Sequence, residues 1–210
     1  MVLRFSVIIP CYHDEKKLVS LLIQLQSLPH RPYEIIVVDG AQSTACHEIC
    51  TQYDIRWLAS NPCRGRQMQL GAQAAKGNVL WFLHADAGLS TDPLIAMAYA
   101  ISRGCVGGYY RFKFRVSSNW SARILEYAIA LRCQFGMPYG DQGIFIMQQA
   151  YHQVGGHAAW PLFEEVPLIR KIRRHGRFLP LADPIYVDPR RWIRDGWWQR
   201  TWNNRKLALQ

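Results

Sequence analysis

The chain has 210 residues, half of them hydrophobic, and a formal net charge of +10. This length suits one sizeable domain, and so high an apolar fraction excludes a chain that is disordered throughout. The positive charge favours a phosphate-bearing ligand, a nucleic acid or an anionic membrane surface as partner, and it does not choose among them.

Six cysteines are scattered along the sequence without a CxxC pair, which argues against a zinc site built from paired thiols. The first residues lack the apolar run and cleavage site of a signal peptide. No stretch reaches the roughly 18 apolar residues of a membrane span. We therefore expect reduced thiols and a cytoplasmic location, with peripheral binding at the inner face of the membrane left open.

The first hundred residues alternate short apolar runs with amphipathic segments. The runs at 5–10, 34–38, 55–58 and 79–83 predict buried strands. Helices are predicted after His13 or Asp14, at 44–53, at 66–76 with Gly77 just past the end, and from Asp92-Pro93 onward. Strand and helix in regular alternation predict a Rossmann-like α/β fold, a mainly parallel sheet with helices on both faces.

The second half has a different pattern. Residues 107–116 alternate apolar and polar and predict a strand exposed on one face, whereas 143–147 predict a buried strand. Residues 120–135 and 162–175 predict helices, the second with a basic outer face. Because no linker or repeat separates the halves, we expect a single domain over residues 1–210 whose halves share one sheet.

The most informative segment is VLWFLHAD at 79–86. Side chains alternate along a strand, so His84 and Asp86 would point the same way at its carboxyl end. Ligands bind at that end in open α/β sheets. A carboxylate beside a second ligand suits a divalent cation held against a phosphate. The alternative is a plain strand-to-loop transition in which Asp86 caps the next helix.

Three other polar motifs each allow a functional and a structural interpretation. Asp39 ends the second strand, where it would bond a ribose or base edge or only hold a turn. Arg64 and Arg66 flank a glycine before a helix, which suits a diphosphate, although a solvated basic loop is the usual alternative. Glu164 and Glu165 are adjacent carboxylates that suit a general base or simply the acidic first turn of a helix.

In this order the motifs resemble glycosyltransferase family 2, with its A-type nucleotide-sugar-binding fold, and within it a short bacterial branch carrying HAD, GDQ and RRW motifs. The resemblance runs from residue 5 to about 192. The resembling segments are SVIIPCYHDE (6–15), IIVVDGAQS (35–43), RGRQMQLGAQAAKGNVLWFLHADA (64–87), YGDQGIFI (139–146), PLFEEVPLIRKIRRHG (161–176) and RRW (190–192). It implies a nucleotide-binding half (1–100), an acceptor-side half (101–190) and a C-terminal segment (191–210).

The resemblance also implies the reaction and its residues. A sugar would pass from a nucleotide-diphosphate sugar to an acceptor hydroxyl, with metal assistance and inversion by direct displacement. The implied nucleotide-binding residues are Pro10, Tyr12, Glu15, Asp39, Arg64, Gln67 and Ala85. The implied metal site for Mg²⁺ or Mn²⁺ is Asp86 with His84, the catalytic residues are Glu165 and Asp141, the acceptor side is Gly140, Asp141 and Gln142, and the residues closing over the donor are Arg190, Arg191 and Trp192.

The sequence departs from the family pattern at three motifs: His13-Asp14-Glu15 stands where members have Asn-Glu after the first strand, HAD stands for DxD, and Glu-Glu stands for Glu-Asp. These departures keep open an inactive protein that only binds nucleotide sugars or a membrane surface. Asp141, next to a glycine, would otherwise be a turn residue. A sugar-phosphate nucleotidyltransferase is disfavoured, because CYHDE at 11–15 stands where that class places a glycine-rich basic loop.

The C-terminal segment interleaves tryptophans with arginines. The tryptophans are Trp192, Trp197, Trp198 and Trp202. This composition suits a membrane interface, which would agree with a lipid-linked acceptor. It suits equally a partner surface or packing back on the core. Nucleic acid is not an expected partner, because the basic residues are not gathered in an aromatic-lined strand motif.

Overall fold

The computed structural model of the protein describes residues 2–90, 92–115, 120–135 and 137–196. The strands are β1 (Phe5–Cys11), β2 (Glu34–Asp39), β3 (Arg56–Ala59), β4 (Val79–Phe82), β5 (Cys105–Phe114), β6 (Phe145–Met147) and β7 (Arg177–Val187). The α-helices are α1 (Glu15–Gln26), α2 (Thr44–Gln52), α3 (Arg64–Ala74), α4 (Pro93–Ser102), α5 (Trp120–Phe135), α6 (Gln148–Gln153), α7 (Glu165–His175) and α8 (Arg190–Asp195). A 3₁₀ turn covers Gly140–Gln142.

All these strands form one sheet in the order β3-β2-β1-β4-β6-β5-β7. The pairs β1–β2, β1–β4 and β2–β3 are all parallel. Strand β6 is antiparallel to both β4 and β5, and β7 is parallel to β5. The predicted α/β fold with a mainly parallel sheet is confirmed, as is the expectation that both halves share it.

Both faces of the sheet are covered by apolar helix surfaces. Val7 and Ile9 of β1 belong to the cluster that includes the leucines of α1, whereas Ile8 between them belongs to the cluster with α3 and α7. The side chains of all three residues are fully buried. Alternate residues therefore serve opposite faces, which explains why the strands read as unbroken apolar runs.

The strand β5 differs from its prediction. Only its second half alternates, with Arg111 and Lys113 exposed, whereas Tyr109 and Tyr110 are both buried on opposite faces. The Tyr110 hydroxyl donates to the carbonyl of Pro93 at 2.6 Å, and the Tyr109 hydroxyl to that of Cys133 at 3.1 Å. Because each buried hydroxyl has an acceptor, a tyrosine pair that looks half polar in the sequence fits a fully buried strand.

Gly77 does not end α3 as predicted. The helix stops at Ala74, and Ala75 is already extended. The Gly77 amide donates instead to the hydroxyl of Ser6 at 2.9 Å, and a Cβ at this position would lie 2.5 Å from the carbonyl oxygen of Arg4. The glycine is therefore needed for close approach to the first strand rather than for a left-handed helix end.

The strand β7 has no counterpart in the sequence prediction. Pro180 and Pro184 interrupt it, and proline usually argues against a strand. Its place at the end of the sheet order explains the tolerance, since one side of an edge strand needs no amide donors. The helix α7 begins at Glu165 and not at 162. None of the described helices is long and apolar enough to cross a membrane.

Candidate active site

The ends of β1 and β2 are joined by the side-chain amide of Gln67. Its Nε2 donates to the carbonyl of Cys11 at 3.0 Å and to that of Val38 at 2.7 Å, and the residue is 4% exposed. The helix α3 begins at Arg64, two residues earlier than predicted, and this places Gln67 in its first turn. Gln67 therefore fixes the two strand ends, and both of its amide protons are engaged in doing so.

Asp39 organises the loop after β2. Its two carboxylate oxygens accept the backbone amides of Ala41 and Ser43, each at 2.8 Å, and the indole of Trp57 lies 3.4 Å away. The Ser43 hydroxyl in turn donates to Glu15 at 2.8 Å. Asp39 itself has no exposed surface. These contacts agree with the interpretation in which Asp39 holds the turn after β2, and the contact of Asp39 with a nucleotide stays a prediction.

Tyr12 and His13 follow β1, and both are exposed to solvent beside the carboxyl ends of β1 and β2. Tyr12 is 53% exposed, and its ring centroid lies 4.5 Å from that of His13. Pro10 is half-buried in β1, and Ala85 is buried in the turn after β4. The structure therefore gathers the predicted nucleotide-binding residues around the carboxyl ends of β1, β2 and β4.

The start of α3 is closed by the segment that leads to α7. The Gly65 amide donates to the carbonyl of Trp160 at 3.0 Å, so this amide is engaged within the protein and not open to a diphosphate. A Cβ at Gly65 would lie 1.8 Å from the carbonyl oxygen of Ala158, which only a glycine avoids. Beside this contact the Arg64 Nε lies 3.8 Å from Glu164, while Arg66 is exposed.

Glu165 meets the GDQ turn. Its Oε1 accepts the backbone amide of Gly140 at 3.0 Å, and its Oε2 is buried without a hydrogen-bond partner. The same is true of one oxygen each of Asp141 and Glu164. The structure thus brings the predicted base and the predicted acceptor-side turn together, and one oxygen of each of the three carboxyl groups is buried without a hydrogen-bond partner.

Gln142 is the structural member of that turn. It is 1% exposed; its Oε1 accepts the amide of Tyr139 at 3.1 Å and lies 3.2 Å from the Cys133 sulfur, and its Nε2 donates to Tyr110 at 3.3 Å. These contacts hold the turn against α5 and β5. Gln142 therefore holds the GDQ turn in place from beneath.

His84 and Asp86 do not share one side of a strand. The strand β4 ends at Phe82, and the two residues lie in a turn closed by the Ala87 amide on the His84 carbonyl at 3.0 Å. A Cβ on Gly140 would lie 2.9 Å from the His84 Nε2, so His84 faces the GDQ turn. The Asp86 carboxylate lies 4.0 Å from the Lys17 ammonium. The alternation argument is wrong here because the strand is shorter than its apolar run.

The side chains that could bind a metal at this site are compatible with a cation whose other ligands are phosphate oxygens of a bound nucleotide. Within the described ranges no group of three or more histidine, cysteine, aspartate or glutamate side chains is placed to hold a metal alone. Mg²⁺ is commonly bound by one or two carboxylates together with substrate phosphates. Asp86, with 29% of its side chain exposed, meets that lesser requirement.

Burial raises the pKa values of the carboxyl groups at this site. The pKa of Asp141 rises to about 6, with Glu165 and Asp86 adding to the effect and Arg132 opposing it. The pKa of Glu164 rises to about 7, again through burial and the neighbouring Glu165. Burial also raises the pKa of Glu165, against the amide of Gly140 and two arginines. Carboxyl groups with raised pKa values suit proton transfer.

Two cations of the site were missed by sequence reasoning. Arg132 of α5 lies over the ring of Tyr139 at 4.0 Å and lowers the pKa of Asp141 and Glu165. Lys17 of α1 lies between Asp14, at 2.5 Å, and Asp86. Neither residue stands in a motif, and only the packing of their helices brings them here.

The RRW motif follows the carboxyl end of β7, at the same edge of the sheet as the carboxyl ends of β1, β2 and β4. Trp192 packs on Phe114 with ring centroids 5.1 Å apart. For this tryptophan the structure therefore agrees with packing back on the core. Arg190 is mainly exposed and pairs with Asp188. The Arg191 side chain and residues 197–210, with three of the four tryptophans, lie outside the described residues.

Comparison with protein families matches residues 6–159 to glycosyl transferase family 2. The chain belongs to this family. No curated protein matches the sequence. The family 2 assignment agrees with the sequence resemblance.

Solved structures share the fold. TarS of S. aureus has a TM-score of 0.66 at 16% identity, over 88% of this chain and 36% of TarS. The glucosyl-3-phosphoglycerate synthase of Mycobacterium tuberculosis, in complex with Mn²⁺, UDP and glucosyl-3-phosphoglycerate, has a TM-score of 0.64 at 16% identity, over 88% of this chain and 72% of the synthase. The same synthase with Mn²⁺ and UDP-glucose has a TM-score of 0.62 at 14% identity, over 85% of this chain and 69% of the synthase. Identities this low concern the fold alone.

Replacing Gln67 tests its role in joining the strand ends. We expect Gln67→Met to lower the free energy of unfolding by about 2 to 4 kcal/mol, because two buried carbonyl groups lose their donors. Urea denaturation measures this. The matched control is Gln73→Met on the exposed face of the same helix, with an effect within about 0.5 kcal/mol. Equal effects of the two changes would contradict the role.

The raised pKa of Asp141 predicts a pH-dependent gain from Asp141→Asn. Its pKa rises from 3.8 to about 6 on folding, so ionisation costs the folded state free energy as pH rises through this window. We expect the variant to be more stable than wild type by about 1 to 3 kcal/mol near pH 8, and the gain to vanish near pH 4. Denaturation at several pH values, with the exposed Asp183→Asn as control, measures the difference. A gain independent of pH would refute this assignment.

Proposed function

We propose that this chain transfers a sugar from a nucleotide-diphosphate sugar to an acceptor hydroxyl. The observation that carries the proposal is the position of Glu165, which accepts the Gly140 amide of the GDQ turn through one oxygen while its other oxygen is buried without a hydrogen-bond partner. Family membership and the carboxyl-end location of the site support the same reaction.

Glu165 would act as the general base. Its Oε2, which has no hydrogen-bond partner within the protein, would take the proton of the acceptor hydroxyl, while the acceptor oxygen bonds to the anomeric carbon and the bond from that carbon to the diphosphate oxygen breaks with its electron pair. Burial raises the pKa of Glu165, which makes the ionised carboxylate a better proton acceptor. Attack from the face opposite the diphosphate inverts the configuration. Asp141, in the same turn as Gly140, would position the acceptor and share the proton.

The donor would lie across the carboxyl ends of β1, β2 and β4. Tyr12 is the exposed surface for a base, with Pro10 and Ala85 shaping the cleft beside it. Glu15 and Asp39 hold the adjoining loop, and the ribose or base would bind against it. Gln67 contributes through the strand ends that it joins.

Positive charge for the leaving diphosphate would come from Arg64 and the exposed Arg66, and from Lys17 beside Asp86. Preformed charges of this kind stabilise the transition state without reorganisation. Arg190, Arg191 and Trp192 are proposed to close over the donor.

Asp86, with His84 beside it, would hold Mg²⁺ or Mn²⁺. When bound with the donor, such a cation neutralises charge that develops on the diphosphate. The Mn²⁺ and UDP in the synthase structure support this choice of cofactor. When the cation binds, the Lys17 ammonium must either move away from the Asp86 carboxylate or remain beside it together with the cation.

Replacing Glu165 separates binding from transfer. We expect Glu165→Gln to slow donor consumption by about 10² to 10⁴-fold, because the proton acceptor is lost, while nucleotide-sugar binding remains. Release of nucleoside diphosphate from a panel of nucleotide sugars measures turnover. The matched control is the neighbouring Glu164→Gln, expected to cost less than about tenfold. If Glu164→Gln were inactive and Glu165→Gln active, the base would be misassigned.

Replacing Asp86 tests the cation. In wild type, we expect nucleoside diphosphates to raise the melting temperature, and Mn²⁺ to add to the rise through tighter binding. In Asp86→Ala the Mn²⁺-dependent part should disappear, corresponding to at least a tenfold, or about 1.4 kcal/mol, loss of apparent nucleotide affinity. Asp183→Asn is the control. An unchanged Mn²⁺ response would refute the site, and no shift with any nucleotide would refute the donor proposal.

A further inference from the structure

The helix α5 presents its apolar side chains outward. Trp120, Ile124, Tyr127 and Leu131 are 65%, 46%, 73% and 47% exposed. Their spacing of three and four residues places them in one stripe along the helix. The side chains exposed beside them are Arg123, Ala128 and Gln134, with no carboxylate.

Polar groups of the same helix are turned inward. Glu126 accepts the backbone amide of Phe114 at 2.7 Å, and Arg132 lies over the ring of Tyr139. Ala122 and Leu125 are buried against β5. The orientation of the helix is thus fixed by specific contacts, and the stripe is exposed because of them.

The neighbouring helix α7 is basic on its outer side. The Arg173 guanidinium donates to the carbonyl of Cys133 in α5 at 3.2 Å, so the two helices adjoin. The exposed residues of α7 are Arg170, Lys171, Arg174 and His175. The two helices together offer an apolar stripe beside a cationic face, and neither exposes an acidic side chain.

We propose that the outer faces of α5 and α7 dock on an anionic lipid surface, and that the acceptor of the proposed transfer is carried by that surface. Trp and Tyr combine an apolar ring with a polar tip and are favoured at the membrane interface. Basic residues beside them are attracted to anionic headgroups. The acceptor class rests on the proposed function, whereas the docking itself does not.

The size of the stripe argues against a second copy as the occupant. A helix of 16 residues is roughly 24 Å long and about 10 Å wide, so its outer face covers roughly 240 Å². Stable protein interfaces bury about 800 Å² on each partner. A bilayer needs no such area from one protein, because insertion of a few side chains combines with charge attraction.

The surface lies next to the acceptor side of the site. The Cys133 sulfur of α5 lies 3.2 Å from Gln142, and Arg132 covers Tyr139, which precedes the GDQ turn. The helix that carries the docking stripe therefore packs directly on the GDQ turn. An acceptor hydroxyl carried by a lipid of the docked surface would have the proposed site beneath the same helix.

Cosedimentation with vesicles tests the docking. We expect the full chain to bind vesicles of phosphatidylcholine mixed with phosphatidylglycerol at low salt, and to bind phosphatidylcholine alone more weakly. Ile124→Asn combined with Leu131→Gln should lower the partition coefficient by at least tenfold. Arg170→Gln combined with Arg174→Gln should lower it on anionic vesicles only.

The matched control replaces equally exposed apolar side chains elsewhere, as Ile95→Asn combined with Tyr99→Ser on α4, and should leave the partition unchanged. Circular dichroism melting confirms folding of each variant. Absence of vesicle binding in wild type, or equal losses for the α4 and α5 variants, overturns the proposal. So does a wild-type dimer in light scattering that the α5 change dissociates. Glu165→Gln should bind vesicles like wild type, which separates a failure of docking from a failure of transfer.

Discussion

The antiparallel pairing of β4 with β6 connects the two halves of the molecule and sets the geometry of the site. Val79, Leu80 and Trp81 pair with Met147, Ile146 and Phe145 in turn. Because the two strands run in opposite directions, the residues before β6 lie where β4 ends. The GDQ turn thus meets the His84–Asp86 turn at one edge, although more than fifty residues of chain separate them. A parallel β6 would have put the GDQ turn at the opposite edge.

Charge balance at this edge follows from that arrangement. Asp141, Glu164 and Glu165 are gathered in a region with little solvent, where ionised groups are costly unless cations are near. Arg64 and Arg132 supply part of the compensation, and burial still keeps the pKa of Glu164 at about 7. These three carboxyl groups therefore ionise less readily than exposed ones, and their pKa values lie above the usual range.

Sequence reasoning identified the fold because the evidence for it is local. Buried strands such as β1 and β2 are continuous apolar runs, and the leucines of α1 recur at helical spacing, so periodicity alone fixes them. Once the strands were known to be parallel, the motifs that follow them could be placed at one edge of the sheet, where the carboxyl ends of parallel strands lie. The proximity of Glu165 to Gly140 agrees with the resemblance to family 2.

What sequence reasoning could not supply depends on contacts between distant elements. The hydrogen bonds of the Gln67 side chain to Cys11 and Val38 give it a structural role, and nothing near Gln67 in the sequence signals that role. Lys17 reaches Asp86 only because α1 packs where it does. The extent of β4 was overestimated because Leu83, although buried, lies beyond the strand. Apolar character reports burial, and burial continues past the last strand hydrogen bond.

The prolines of β7 have a consequence for the behaviour of the molecule in a crowded solution. An edge strand with free amide donors is a template on which a strand from another molecule can add, and chains of such additions form aggregates. Pro180 and Pro184 remove two amide donors from β7, and Asp183 places an exposed charge between them. The unpaired edge of β7 is therefore a poor template for strand addition, and the sheet can end at β7 with little tendency to aggregate through that edge.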